Sequence, residues 1–122
     1  MIGRIALVGV AVVSLSMAVS AAHRAAAPNP AHREQTKPAT ASVEIKMFAF
    51  TPKVLTVAEG TTVTWTNVDQ EPHTVTAVGA SFHSSALDTN DKFTFTFSKS
   101  GKYAYFCRLH PQMTAKVIVR PR

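Results

Sequence analysis

A cysteine, a histidine and a methionine follow one another at intervals of three in the stretch YAYFCRLHPQM, which runs from Tyr103 to Met113. Cys107 is the chain's single cysteine; His110 follows it and Met113 closes the set. A thiolate, an imidazole and a thioether on one short loop form a soft donor set. Such a set suits copper moving between Cu(I) and Cu(II) better than zinc, magnesium or calcium. Two nitrogens and a sulfur in a trigonal plane, with a weak axial methionine, define the copper site used for electron transfer. That geometry needs a second histidine from elsewhere. His73, in the stretch DQEPHTV from Asp69 to Val75, is the obvious supplier.

Other readings of the same residues stand beside this one. A lone cysteine excludes an intrachain disulfide and is often an inert, buried strand residue. Zinc bound by Cys107 and both histidines is a second alternative, against which Met113 argues, because a thioether is a poor zinc ligand. A metal-free adhesive sandwich is a third. Catalysis is not expected: a mononuclear site with four donors leaves no open position for substrate, and no nucleophile–base pair appears elsewhere. His83, in SFHSS, stands away from any ligand spacing and reads as a surface or core residue, while His23 and His32 read as solvated side chains.

The elements that must position these donors read as strands. Val43, Ile45, Met47 and Ala49 alternate along a first strand that Pro52 ends, and Lys53 to Val57 is short and apolar before Glu59-Gly60 turns the chain. Val63, Trp65 and Asn67 continue with period two, and Phe93, Phe95 and Phe97 alternate with Thr94, Thr96 and Ser98. After Ser100-Gly101, Tyr103, Tyr105 and Cys107 share one face, and Ala115, Val117 and Val119 form a closing strand. No stretch holds a helical period for more than a turn. About seven or eight short strands in some 80 residues predict an all-β Greek-key sandwich.

Ahead of this domain, Arg4 precedes an apolar run from Ile5 to Val19 and the small residues of Val19-Ser-Ala-Ala22. The pattern predicts a signal peptide over 1–22, or a membrane anchor if it stays uncleaved. Three prolines and no apolar period predict a disordered linker over 23–41. The copper domain is then 42–122. Export places the protein in the periplasm or outside the cell.

The loop Cys107-x-x-His110-x-x-Met113, preceded by Lys102-Tyr-Ala-Tyr-Phe and followed by Thr114-Ala-Lys-Val-Ile-Val119, resembles the copper loop of the amicyanin and plastocyanin-like cupredoxins. Its short gap between His110 and Met113 is closer to amicyanin than to plastocyanin. Trp65-Thr-Asn67 and Pro72-His73-Thr-Val75 resemble the segment carrying the first histidine ligand, and the likeness covers roughly residues 43 to 120. It implies a type 1 copper protein that binds one copper ion through His73, Cys107, His110 and Met113. The ring of His110 is expected at the surface, framed by an apolar patch for which Pro111, Leu109 and Phe82 are candidates, with Gln112 at its rim. In one departure, Thr74 stands where the family commonly has an asparagine that ties the two ligand loops together. The shorter side chain is expected to weaken that tie.

Charge bounds the partners. The chain has 13 Lys and Arg against 7 Asp and Glu, but from Ser42 onward nine face six, leaving +3. That is too small and scattered for nucleic acid, and favours steering towards an acidic protein partner or an anionic membrane face. The resulting expectation is a monomeric electron carrier, docking transiently with redox partner proteins and touching a membrane only through an uncleaved N-terminal segment. The alternative is a copper-binding protein for delivery or tolerance, disfavoured because only Met47 and Met113 follow the leader.

Overall fold

In a computed structural model, Gly3, residues 9–14 and residues 37–122 are described. The chain divides into Met1–Glu34 and Gln35–Arg122. Most of the expected signal peptide and most of the expected linker lie outside the described residues. Among the described residues no helix is long and apolar enough to cross a membrane.

The second unit is all β. It holds β1 (Thr40–Lys46), β2 (Ala49–Thr51), β3 (Val54–Ala58), β4 (Thr61–Asn67), β5 (Thr76–Ala77), β6 (Lys92–Phe97), β7 (Gly101–Phe106) and β8 (Thr114–Arg120). They form two four-stranded sheets, ordered β2-β1-β4-β6 and β3-β8-β7-β5. The β1–β4 and β3–β8 pairs are parallel and the others antiparallel. The first strand starts at Thr40, two residues ahead of the expected start of the domain.

Period-two patterning decides which faces meet. In β4 every second residue from Thr61 to Asn67 is buried, so the strand is gripped between β1 and β6 with Val63 and Trp65 pointing inwards. Val43 and Ile45 of β1, Phe97 of β6, Tyr105 of β7, and Val117 and Val119 of β8 complete the core. Trp65 is its hub: its ring lies 5.7 Å from Phe93, 5.8 Å from Phe82 and 5.6 Å from Tyr105, centroid to centroid. Aromatic pairs at such spacings add about 0.5–1.5 kcal/mol beyond their area burial.

The first expected strand is corrected. Its alternation stops after Ile45, because the chain reverses at Met47 and Phe48 and Lys46 pairs with Ala49. A two-residue hairpin loop shifts the parity of the returning strand, so Phe50 turns inwards opposite Ile45 while Met47 and Ala49 are exposed. Both loop residues have positive φ, 50° for Met47 and 55° for Phe48. That is the twist two-residue hairpins prefer, but it normally falls to Asn and Gly; bulky side chains there are strained.

Candidate metal centre

Three connections converge at one end of the sandwich: the β1–β2 turn, the β4–β5 link and the β7–β8 loop. The last closes tightly, because β7 and β8 pair from Gly101↔Val119 to Phe106↔Thr114 and leave only Cys107–Met113 to turn the chain. The Cys107 N–H donates to the Met113 carbonyl at 3.1 Å, and the Met113 N–H to the His110 carbonyl at 2.8 Å. These bonds bring Cys107 and Met113 together inside the protein, both buried, and leave His110 half-buried at the rim.

His73 comes from the other direction and is fully buried. It exchanges backbone hydrogen bonds with Leu87, at 3.1 and 2.7 Å. Asn67, at the end of β4, stitches the approach. Its amide donates to the carbonyls of Glu71 and Leu87, at 2.9 and 2.8 Å, and its oxygen accepts the Asp69 N–H at 2.9 Å. Every polar atom of that buried amide is used, as burial requires.

The donors meet around the sulfur. Cys107 Sγ lies 3.8 Å from Nδ1 of His73 and 3.7 Å from Nδ1 of His110, and the three donor atoms all fall within 4.8 Å of one another. A first-row ion about 2.3 Å from sulfur and about 2.0–2.1 Å from each nitrogen, at about 120°, needs sulfur–nitrogen edges of about 3.8 Å. Both sulfur–nitrogen distances therefore match those that one shared ion requires. The Thr74 N–H points at the same sulfur, 3.3 Å away.

The other ring nitrogen of His73 fixes its tautomer. Nε2 lies 2.8 Å from Oδ2 of Asp69, so the proton sits on Nε2 and the Nδ1 lone pair faces the sulfur. Asp69 also accepts the N–H groups of Met47 at 2.7 Å and Phe48 at 3.0 Å. Burial pushes the Asp69 carboxyl up. The Phe48 and Met47 N–H groups and the His73 ring outweigh it and hold the carboxyl below its ordinary range. Sequence reasoning missed Asp69. Its signal was a carboxylate four residues ahead of a histidine.

The Thr74 side chain ties the loops through one oxygen: Oγ1 accepts the Arg108 N–H at 2.7 Å and reaches Oγ1 of Thr76 at 3.2 Å. One expectation about the surroundings changes. Phe82 does not frame His110. It is a core residue, 4.9 Å from Phe95 and beside Trp65. The aromatic at the site is Phe48, edge-on to both histidine rings at 5.2 and 5.0 Å. Leu109 and Pro111 are exposed beside His110 as expected, as is Gln112. His83 is an exposed residue on an isolated bridge to Thr76.

The family profile described as a Cupredoxin-like domain matches residues 7–119. The chain belongs to the cupredoxin-like family. It is 40% identical to an amicyanin of Paracoccus versutus over 61% of this chain and 59% of that protein. Amicyanin-alpha of Methylorubrum extorquens is 30% identical over 85% of this chain and 92% of its own length. The chain thus spans about three fifths of the first relative's length and most of the second's. Among solved structures, a purple cupredoxin from Nitrosopumilus maritimus superposes with a TM-score of 0.63 at 33% identity, covering 66% of this chain and 99% of that one. Copper is the cofactor that this cupredoxin's donor set fits: nitrogen, nitrogen and thiolate at metal-sharing distances, beside a buried methionine.

Proposed function

We propose that this protein is an exported electron carrier whose single copper is held by His73, Cys107, His110 and Met113. The observation that carries the reading is the convergence of both Nδ1 atoms on Cys107 Sγ, at 3.8 and 3.7 Å. Bound there, copper supplies a one-electron couple between Cu(I) and Cu(II). The chain's own part is to keep the donors still. The Thr74 N–H lies against the thiolate, the Asp69 carboxylate holds His73, and the backbone bonds of Met113 hold the loop. Donors fixed in a geometry between the preferences of the two oxidation states move little when the electron moves. Burial of His73, Cys107 and Met113 keeps water from the inner donors.

His110 is the way in and out. Its ring is the half-buried donor, and Met47, Phe48, Leu109 and Pro111 are exposed apolar residues of the β1–β2 turn and the β7–β8 loop. A small apolar rim suits brief docking of low area with redox partner proteins. The N-terminal pattern of Arg4, an apolar run and small residues supports export to the periplasm or beyond. With four donors filling the site, the copper has no position for substrate, so the protein acts as a carrier and not as an enzyme.

A visible spectrum tests the reading. Protein loaded with Cu(II) should show intense thiolate-to-copper charge transfer, and Cys107→Ser should abolish it. Colourless protein that prefers zinc would overturn the assignment.

A further inference from the structure

The β1–β2 turn is built from the wrong residues for its shape. A two-residue hairpin with both loop residues at positive φ favours Asn, Asp and Gly, yet Met47 and Phe48 hold it at 50° and 55°. Left-handed backbone in residues with a bulky side chain costs of order 1–3 kcal/mol each and persists only where surrounding structure enforces it. Here the enforcement is visible. The two turn N–H groups both point at the Asp69 carboxylate, Met47 to Oδ1 at 2.7 Å and Phe48 to Oδ2 at 3.0 Å. Thr89 Oγ1 donates to the Asp69 carbonyl at 2.7 Å, and Asn67 accepts its N–H, so the residue that holds the turn is itself held.

The same carboxylate accepts a hydrogen bond from Nε2 of His73 at 2.8 Å. The turn it fastens carries Phe48, whose ring stands edge-on to His73 and His110, with interplanar angles of 89° and 87°. The two rings it spans are themselves 4.9 Å apart. One side chain therefore governs both histidines, His73 by direct hydrogen bond and His110 through the ring that the turn presents.

We propose that Asp69 is a positioning residue for the copper centre: it selects the metal-binding tautomer of His73 and clamps the strained Met47–Phe48 turn so that Phe48 braces both histidine rings. The proposal rests on the copper reading above for its consequence, but the clamp itself is made of protein groups alone. Removing the carboxylate frees three donors at once. The turn then loses what offsets its strain, and the His73 proton is free to move to Nδ1, where it blocks the metal. Loss of an outer hydrogen-bond partner of a ligating histidine typically costs about 10–100-fold in metal affinity.

The test compares the full chain with Asp69→Ala and Phe48→Leu, with and without copper. In metal-free protein, nitrogen-15 NMR reads the His73 tautomer, and amide exchange reads Met47 and Phe48. Asp69→Ala should convert His73 from the pure Nε2-protonated form to a tautomer mixture, and speed exchange of both turn amides at least tenfold. Copper affinity should fall about 10–100-fold, with a shifted visible spectrum. Phe48→Leu keeps every bond to Asp69. It should retain the tautomer and the amide protection, while the His73 and His110 ring protons lose the resonance displacement that the neighbouring Phe48 ring produces. An unchanged tautomer and unchanged exchange in Asp69→Ala would overturn the proposal. So would a Phe48→Leu variant whose histidine ring resonances do not move. If Asp69→Ala fails to fold, Phe48→Leu still decides whether the ring braces the histidines, and Asp69→Asn, which keeps one acceptor oxygen, decides the tautomer. If the wild type takes no copper while the metal-free results hold, the copper reading fails and the clamp stands.

Discussion

Replacing Thr74 by valine removes one oxygen and keeps the shape. That oxygen accepts the Arg108 N–H at 2.7 Å, and Thr74 is only 6% exposed, so its side of the bond is largely shielded from solvent. Deleting an acceptor and leaving its donor unpaired costs about 1–3 kcal/mol when the donor is buried. Arg108 itself is exposed, so water can approach its N–H from outside, and the lower end, about 1 kcal/mol, applies. With a urea dependence of about 1 kcal/mol per molar for a domain of this size, the midpoint should fall by about 1 M. Thr74→Ser is the control. It sacrifices a buried methyl, about 0.8 kcal/mol, but keeps the acceptor. Amide exchange separates the two: Arg108 should lose protection in the valine variant and keep it in the serine variant. The visible spectrum should survive in both, because the N–H that faces Cys107 Sγ at 3.3 Å belongs to the backbone. A valine variant as stable as wild type, with Arg108 still protected, would refute the reasoning.

Met113→Gln should lower the reduction potential with copper still bound, since a harder amide oxygen favours Cu(II) over Cu(I); voltammetry showing no change would remove Met113 from the ligand set. Trp65→Ala, at a fully buried position ringed by aromatics, should cost about 3–5 kcal/mol in chemical unfolding, and a cost under about 1 kcal/mol would mean the core closes over the gap. Tyr105 carries a buried hydroxyl with no partner among the described residues, and burial pushes its phenol up to about 12, with the nearby Trp65 indole only partly opposing. The unfolded phenol ionises near 10, so the unfolded state sheds a proton that the folded state keeps. Stability should therefore hold below about pH 10 and drain by roughly 2–3 kcal/mol as the pH rises to about 12. Tyr105→Phe should flatten that decline in unfolding experiments run across the alkaline range.

What the sequence disclosed follows from range. Cys107, His110 and Met113 lie within one loop, so their spacing alone brings them together, and the period-two runs of β4, β6 and β8 state which faces are buried. Phe82 was misplaced for the opposite reason. Its segment lacks a strand pattern and reaches the core through isolated bridges, Thr76↔His83 and His73↔Leu87, which only the folded chain reveals. Phe48 was hidden by a change of parity: read as a continuing strand, the sequence puts Met47 inside, whereas a hairpin brings Phe50 inside and swings Phe48 over the histidines. Thr74 shows a subtler limit. Its side chain is shorter than the asparagine common in the family, but one oxygen suffices where the neighbouring loop presents a backbone N–H at 2.7 Å.

The two histidines are held very differently, and the difference has a functional logic. His73 is tied through backbone to Leu87 on both sides and through its ring to Asp69. Among the described residues the His110 ring has only the sulfur of Cys107 within reach of Nδ1, and packs against Phe48 and His73. The carrier proposed above would need one donor that never shifts, so that the copper stays put, and another whose ring edge can face a partner. Ordering both rings fully would bury the second and lengthen the path an electron must cross; ordering neither would let the donors rearrange with each transfer. The arrangement here anchors the inner ligand, His73, by hydrogen bonds to Asp69, in the β4–β5 link, and to Leu87. The outer one is left to packing, whose contacts a docking surface can replace without breaking a hydrogen bond.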